Sequence, residues 1–97
     1  MAKVVYSAEA LADLERIIDF LLDSSPDTAQ KTLAQIRSAV TILESHPQIG
    51  RRVDRHRREL VITYGASGYL ALYRHDARLD LARILRVRHQ REAGYSD

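Results

Sequence analysis

Apolar residues recur at two different spacings along this chain of 97 residues, and the change of spacing separates a helical part from an extended part. Two stretches in the first half repeat apolar residues every three or four positions, which is typical of amphipathic helices. In the second half apolar and polar residues alternate, as they do in half-buried strands. The pattern therefore predicts a short strand, two helices and then three strands.

The first strand and the first helix follow each other directly. Residues 3–6 (KVVY) are short, apolar and β-branched, which indicates a strand. Ser7 suits the helix N-cap, and Glu9 lies in the first turn, where the helix dipole favours negative charge. One apolar stripe follows, with its acidic and basic neighbours largely off it: Leu11, Leu14, Ile17, Ile18, Leu21 and Leu22.

A second helix begins after a short break at Ser24 and Ser25. Ser25 can cap this helix, and Pro26 fits its first position. Its stripe alternates spacings of four and three: Ala29, Leu33, Ile36, Val40 and Leu43. We expect the helix to end near His46, because Pro47 disfavours helical geometry in the residue before it. The short link predicts an antiparallel αα-hairpin.

The remaining chain predicts an antiparallel meander. Residues 51–58 (RRVDRHRR) are expected to form a surface loop, followed by strands over 59–64, 69–74 and 79–89. Strict alternation along the last strand puts Arg86 and Arg88 on one face, and Arg83, Val87 and His89 on the other. We therefore expect a single domain over residues 1–97, with α+β architecture. The hairpin of helices should cover one face of the sheet.

Charge is distributed unevenly along the chain. Residues 1–48 hold 4 basic and 7 acidic side chains, whereas residues 49–97 hold 11 basic and 6 acidic ones. All of the basic residues in the second half are arginines, whose planar donors suit phosphate and carboxylate groups. This indicates an anionic partner, and an acidic protein fits the charge as well as nucleic acid does. A solvated basic face without a partner is the simpler alternative.

Several classes of function are excluded or disfavoured by composition and spacing. The absence of cysteine excludes disulfides, thiol nucleophiles and Cys-ligated metal sites. The four histidines lie 10, 19 and 14 residues apart, so no pair has helical ligand spacing. We expect neither a metal nor another cofactor. No apolar run approaches the roughly 18 residues of a membrane span, and no signal peptide pattern is present. We therefore expect a cytoplasmic protein without membrane contact.

Residues suited to binding or proton transfer gather around the last predicted strand. Arg86 and Arg88 could hold an anion together, and His89 could act as a general acid near neutral pH. Arg83 interrupts an otherwise apolar face, so it needs an acidic partner, for which Glu59 is a candidate. The cluster as a whole comprises Arg83, Arg86, Arg88, His89, Arg91, Tyr95 and, on the neighbouring strand, Tyr73. The competing interpretation is structural: an Arg83–Glu59 ion pair, two packing tyrosines and a histidine at a strand end.

The order of elements and several local strings resemble the RelE/ParE superfamily, the toxin half of bacterial toxin–antitoxin pairs. The resemblance covers nearly the whole chain, and it depends on the order and spacing of the strings together. They are ALADLERIIDFL (10–21), LESHPQIGR (43–51), RREL (57–60), SGYLALYR (67–74) and ILRVRHQREAGY (84–95).

The resemblance implies a small sheet packed on an αα-hairpin, as the apolar pattern also predicts. It further implies a cognate antitoxin, ParD-like or related and encoded next door, that forms a hetero-oligomer with the toxin. The antitoxin's helix would lie in an apolar groove beside the helical hairpin, and its acidic tail would pair with the basic sheet and an exposed strand edge. The surface expected to meet antitoxin or target comprises Arg58, Tyr73, Arg83, Arg86, Arg88, His89 and Arg91.

Two functional branches of the superfamily compete. RelE-like members cleave mRNA on the ribosome, and here Arg83, Arg86, His89 and Tyr95 are the positions that could serve. ParE-like members lack that catalytic set and inhibit DNA gyrase, which blocks replication. The HPQIGR, REL and RVRHQRE strings, together with the mild net charge of +2, favour the ParE-like branch. In that branch the protein is a toxin without catalytic residues of its own. A degenerate relative that only binds its antitoxin is a third hypothesis.

Overall fold

The computed structural model describes residues 1–64, 67–92 and 94–95, and it has the predicted α+β architecture. Two helices pack on one face of a five-stranded sheet, and the strands lie in the order β1-β5-β4-β3-β2. None of the described helices is long and apolar enough to cross a bilayer. The elements in chain order are β1 (Lys3–Tyr6), α1 (Ala8–Leu22), α2 (Pro26–Val40), β2 (Arg51–Arg52), β3 (Arg58–Tyr64), β4 (Ser67–Asp76) and β5 (Leu81–His89).

Ser7 joins the end of β1 to the start of α1, as the sequence predicts. Its hydroxyl accepts a hydrogen bond from the Ala10 N–H at 3.0 Å, which makes it the N-cap of α1. The same hydroxyl donates to the carbonyl of Leu85 on β5 at 2.9 Å. The cap therefore also fixes the helix against the sheet.

The second helix begins as predicted but ends earlier. Ser25 accepts a hydrogen bond from the Thr28 N–H at 3.3 Å, and Pro26 is the first helical residue. The α-helix stops at Val40, and a turn of 3₁₀ helix continues over Thr41–Glu44. The expected end near His46 is therefore wrong for the α-helix, because the chain tightens to 3₁₀ geometry before it turns away.

The meander of β3, β4 and β5 is confirmed, and two strands extend it. At one edge β1 pairs in parallel with β5, from Lys3 opposite Leu81 to Tyr6 opposite Ile84. At the other edge β2 pairs with the start of β3. Residues 51–52 are therefore not part of a loop, as the sequence analysis predicts, but a two-residue edge strand. The strand predicted over 69–74 also begins earlier, because Ser67 and Gly68 already belong to β4; Gly65 and Ala66 lie outside the described residues.

A bulge in β5 overturns the strict alternation predicted for this strand. Leu72 on β4 lies opposite Arg86, but the next residue, Tyr73, lies opposite Ile84, so Leu85 is an extra residue in β5. The bulge puts Val87 on the same face as Ile84, and both are completely buried against the helices. Arg83, expected on the face of Val87, instead faces away from the helices.

The core lies between the helical hairpin and this face of the sheet. Tyr73 at its centre is 0% exposed, and its hydroxyl accepts a hydrogen bond from the Gly50 N–H at 2.8 Å. A Cβ atom on Gly50 would lie only 2.6 Å from the Tyr73 ring, so residue 50 has to be glycine for this approach. The largest fully buried side chains are Tyr73, Ile36, Leu43, Ile62, Ile84, Val40 and Val87.

Candidate functional site

The sheet face opposite the helices, here called the open face, carries a row of polar residues across β2, β3 and β5. Arg51 lies opposite Glu59, Glu59 lies opposite Leu72, and Leu72 lies opposite Arg86. Arg88 extends the row along β5, where it lies opposite Leu70. On the open face, the buried leucines of β4 therefore lie next to the arginines of β5.

The C-terminal segment folds back over this row. The ring of Tyr95 lies against the guanidinium groups of Arg86 and Arg88, with ring centroid to Cζ distances of 5.6 and 5.2 Å. Both distances fit cation–π contacts. The Tyr95 hydroxyl donates a hydrogen bond to Glu59 at 2.8 Å. The segment is held at its start by Glu92, which accepts hydrogen bonds from Arg16 of α1 and from the His89 N–H.

Glu59 is the buried anion at the centre of the open face. Burial by itself would raise the pKa of Glu59, but hydrogen bonds from Tyr95 and Arg51, with the charges of Arg51 and Arg88, outweigh it and lower the pKa. Burial and the hydrogen bond to Glu59 together raise the pKa of the Tyr95 hydroxyl strongly. At neutral pH the pair is therefore a carboxylate and a protonated phenol.

The predicted ion pair between Arg83 and Glu59 is wrong. Glu59 pairs with Arg51 on the neighbouring edge strand. Arg83 is exposed and lies directly opposite Arg74 on β4. The prediction assumed that Arg83 lies on a buried apolar face and therefore needs an acidic partner. The bulge turns Arg83 toward solvent, where it needs no such partner.

Arg86 is held by a carboxylate that the sequence analysis missed. Asp13 of α1 accepts hydrogen bonds from Arg86 Nε and Nη2 at 2.8 and 3.1 Å, and from the backbone N–H of Val87 at 2.9 Å. Asp13 is 4% exposed. The sequence analysis predicts the charged residues of this helix to lie largely off the apolar stripe, although Asp13 lies three residues after Ala10 and four before Ile17. This spacing puts it on the buried face of the helix.

His89 lies on the helix side of the sheet, away from Tyr95. Its ring makes an edge contact with Tyr69, with centroids 5.1 Å apart, and its Nδ1 accepts a hydrogen bond from the Arg91 N–H. Tyr69 is a core residue between the sheet and the helices. The structure thus brings Tyr95 together with Arg86 and Arg88, but it places His89 on the opposite face of the sheet.

The other predicted interface residues have mixed surroundings. Tyr73 is a packing residue, because its side chain is fully buried, so it offers no surface to a partner. Arg58 is half-buried, and its guanidinium donates to the Gly50 carbonyl at 2.9 Å. Arg88 donates to the Glu92 carbonyl at 2.7 Å, which ties it to the C-terminal segment. Arg91 is exposed.

Two concave regions flank the ends of β5. The first, here called the arginine trough, lies on the open face between the loop 54–57 and the strand residues Arg74 and Arg83, with a volume of about 640 Å³. The second, here called the helix-side groove, lies between α1 and His89, with a volume of about 530 Å³. Phe20 lines the helix-side groove and is 74% exposed.

Among the described residues, most of the outer edge of β3 is left without a pairing strand. β2 pairs only with Arg58 and Glu59, so in the described part of the chain no strand pairs with the outer side of residues 60–64. Val61 in this stretch is exposed. Such an edge offers backbone donors and acceptors to an added strand.

Comparison with known proteins agrees with this fold. Residues 4–94 match the family model described as ParE toxin of type II toxin-antitoxin system, parDE. Toxin RelE3 of Caulobacter vibrioides is 34% identical over 92 residues, which cover 95% of this chain and 98% of the relative. Toxin RelE2 of the same organism is 36% identical over 88 residues, covering 81% of this chain and all of the relative.

A solved structure has the same architecture. The match is to a chain of the structure described as the chromosomal ParDE TA system from P. aeruginosa, with a TM-score of 0.75 and 24% identity. It covers 92% of this chain and 96% of that chain. The two-layer fold and these relatives define a type II toxin of the RelE/ParE superfamily. Within that superfamily the chain belongs to the ParE toxin family, whose model spans nearly its whole length.

Proposed function

We propose that this toxin inhibits DNA gyrase, and that a cognate antitoxin encoded next to it neutralises the inhibition. The observation that carries the proposal is the separation of His89 from Tyr95 on opposite faces of the sheet. An RNA-cleaving relative would need proton-transfer groups that meet at one phosphate. Here the two candidates cannot contact the same phosphate without rebuilding the end of β5.

The remaining members of the candidate nuclease set also have other roles. Arg86 already binds the Asp13 carboxylate through two nitrogen atoms. The raised pKa of Tyr95 disfavours its deprotonated form, so the phenol is a poor general base at neutral pH. These features support binding to a protein target over cleavage of RNA.

The antitoxin partner is supported by the helix-side groove. A phenylalanine that is 74% exposed and lines an apolar groove is costly in water. An amphipathic helix laid in this groove beside α1 would bury Phe20 together with Leu21, which lines the same groove. An acidic segment continuing from that helix could pair with the open edge of β3 and with the arginines of the open face.

Two assays run side by side test the choice between the branches. The purified full-length toxin is added to a gyrase supercoiling reaction and, separately, to ribosomes that carry mRNA. We expect supercoiling to stop and the mRNA to stay intact. Cleaved codons together with normal supercoiling would overturn the proposal in favour of a ribosome-dependent endoribonuclease.

A histidine variant gives a second test of the choice between gyrase inhibition and RNA cleavage. His89→Ala is expected to retain gyrase inhibition, because His89 is not placed for proton transfer. His46→Ala, at an exposed position just after the 3₁₀ turn, is the matched control. Loss of toxicity in His89→Ala alone, with circular dichroism unchanged, would instead point to a catalytic histidine.

A further inference from the structure

The floor of the arginine trough carries two like charges in direct opposition. Arg74 on β4 and Arg83 on β5 are register partners on the open face, and both are exposed. Directly opposite side chains on one face have Cβ atoms only about 5 Å apart, and like charges there destabilise a sheet. Neither arginine makes an ion pair with a residue that the structure describes. Such a like-charged pair is stabilised most when one anion binds both guanidinium groups.

The acidic residues around the trough do not neutralise this pair. Asp54 accepts hydrogen bonds from the backbone N–H groups of His56 and Arg57 and from the Arg57 side chain, so it is used within its own loop. Asp76 accepts from the N–H groups of Arg78 and Leu79 in the turn before β5. Four arginines and two aspartates line the trough, and one arginine of the four is paired with Asp54. The trough therefore keeps a surplus of positive charge.

We propose that the arginine trough binds the phosphate backbone of duplex DNA. Each phosphate of a DNA backbone carries one negative charge on two non-bridging oxygens, so the two guanidinium groups can bind the same phosphate or two successive ones, and a duplex supplies a continuous row of such anions. The loop residues Arg55 and His56 extend the positive surface from the strand pair to the rim. A backbone crossing the trough would meet Arg74 and Arg83 at its floor and Arg55 at its wall.

The lining of the trough distinguishes a duplex from a single strand. Among the residues that the structure describes, no phenylalanine, tyrosine or tryptophan lines the trough, so these residues offer no platform on which unpaired bases could stack. Contacts confined to phosphates position a protein on a duplex without reading its sequence. The choice of DNA over RNA rests on the proposed function, because DNA is the substrate of gyrase. Binding itself can be measured without gyrase, so the two proposals can fail separately.

The test measures binding of the full-length toxin to a short fluorescent DNA duplex by anisotropy at several salt concentrations. The double variant Arg74→Gln/Arg83→Gln is compared with Arg37→Gln, which removes one exposed arginine from α2 on the helix side. We expect the double variant to bind the DNA duplex about tenfold more weakly. The slope of log K against log salt concentration should become less steep by about two. Arg37→Gln should bind as the unsubstituted protein does.

Four results would overturn the proposal. If the double variant bound DNA as tightly as the unsubstituted protein does, the trough would not be part of the DNA interface. The same conclusion would follow if Arg37→Gln lost as much DNA affinity as the double variant. Tighter binding of single-stranded RNA than of the duplex would reject the commitment to duplex DNA. Binding of a polyglutamate peptide that requires Arg74 and Arg83, without binding of DNA, would assign the trough to an acidic protein segment. Thermal unfolding of each variant shows that the fold is retained.

Discussion

Asp13 links the two layers of the molecule through a single carboxylate. Beyond Tyr6 the strand β1 no longer pairs with β5, and the N–H of Val87 would face the helix without an acceptor. The Asp13 carboxylate accepts this N–H and neutralises Arg86 at the same time. A buried charge with this many partners is stabilising only while all of them are present.

Replacing Asp13 with alanine should destabilise the protein. The change leaves the Val87 N–H without its acceptor and Arg86 without its main partner, and we expect a loss of about 2–3 kcal/mol in the free energy of unfolding. Urea titration measures it. Asp19→Ala, at an exposed position on the same helix, is the control and should change stability by less than about 0.5 kcal/mol. A similar small effect for Asp13→Ala would contradict this role.

Glu59 should make stability depend on pH on the acid side. Its folded pKa is lowered, so its contribution is fully present above the pKa of the unfolded chain and is lost as the pH falls through the folded pKa. Glu59→Gln removes this contribution, so the variant should lose less of its remaining stability than the parent between neutral pH and pH about 3. Urea titrations at both pH values measure the difference.

The matched control for the pH experiment is Glu15→Gln, on the exposed side of α1. It should keep the acid sensitivity of the parent protein. If Glu59→Gln loses stability with falling pH as steeply as Glu15→Gln does, the hydrogen bonds from Tyr95 and Arg51 do not stabilise the carboxylate in solution.

At the scale of single residues, local rules predicted the caps but not the buried carboxylates. Ser7 and Ser25 are recognisable because a cap depends only on its own helix. Asp13 depends on a strand that lies more than 70 residues later, so periodicity could reveal its position on the buried face but not its partners. Glu59 was assigned the wrong arginine because its true partner, Arg51, comes from an edge strand too short to give a pattern.

At the scale of elements, β4 and β5 carry the repulsion between Arg74 and Arg83. Arg83→Glu converts the like-charged pair into an opposite-charged one, and we expect the free energy of unfolding to rise by about 0.5–1 kcal/mol. Because salt screens exposed charges, the gain should shrink in 1 M sodium chloride, where the screening length is about 3 Å. Thermal unfolding at low and high salt measures both effects.

The neutral variant Arg83→Gln separates the two parts of that gain. It removes the repulsion without adding an attraction, so its stability should lie between that of the parent and that of Arg83→Glu. A parent protein more stable than both variants would mean that Arg74 and Arg83 do not repel each other in the free toxin.

Most of the elements were predictable, and the exceptions are the edge strand β2 and the bulge in β5. Both helices and the three meander strands follow from hydrophobic spacing and turn residues. The two-residue strand β2 was missed because its arginines are exposed and its only structural requirement is pairing with β3. The bulge at Leu85 was missed because Leu85 is apolar like Ile84 before it, so nothing in the pattern marks Leu85 as the extra residue.

At the scale of the whole molecule, the two faces of the sheet offer two different surfaces. The helix side ends in an apolar groove with Phe20, and the open face carries the arginines. The groove beside the helices was an expectation from the resemblance to the superfamily, and the basic surface was predicted from the concentration of arginine in the second half of the chain. Alternation correctly put His89 on the face opposite Arg86, but it put Arg83 there too, and the bulge instead brings Arg83 to the face of Arg86.

Phe20 should contribute to antitoxin binding and little to folding. Phe20→Ser removes an exposed aromatic ring from the helix-side groove, so we expect at least about a tenfold loss of affinity for the cognate antitoxin. Calorimetric titration measures it. Leu79→Ser, at a position 63% exposed in the turn before β5, is the control. Equal affinities for the two variants would place the antitoxin helix elsewhere.

The extra residue in β5 has a consequence for comparing this toxin with shorter relatives. Because Leu85 is looped out, Ile84 and Val87 face the helices although they are three positions apart. A homologue with a one-residue deletion there would keep every later side chain on the same face, but it would have to find another acceptor for the Ser7 hydroxyl. An alignment that closes this gap elsewhere would exchange inward and outward positions and would assign the arginines to the wrong side.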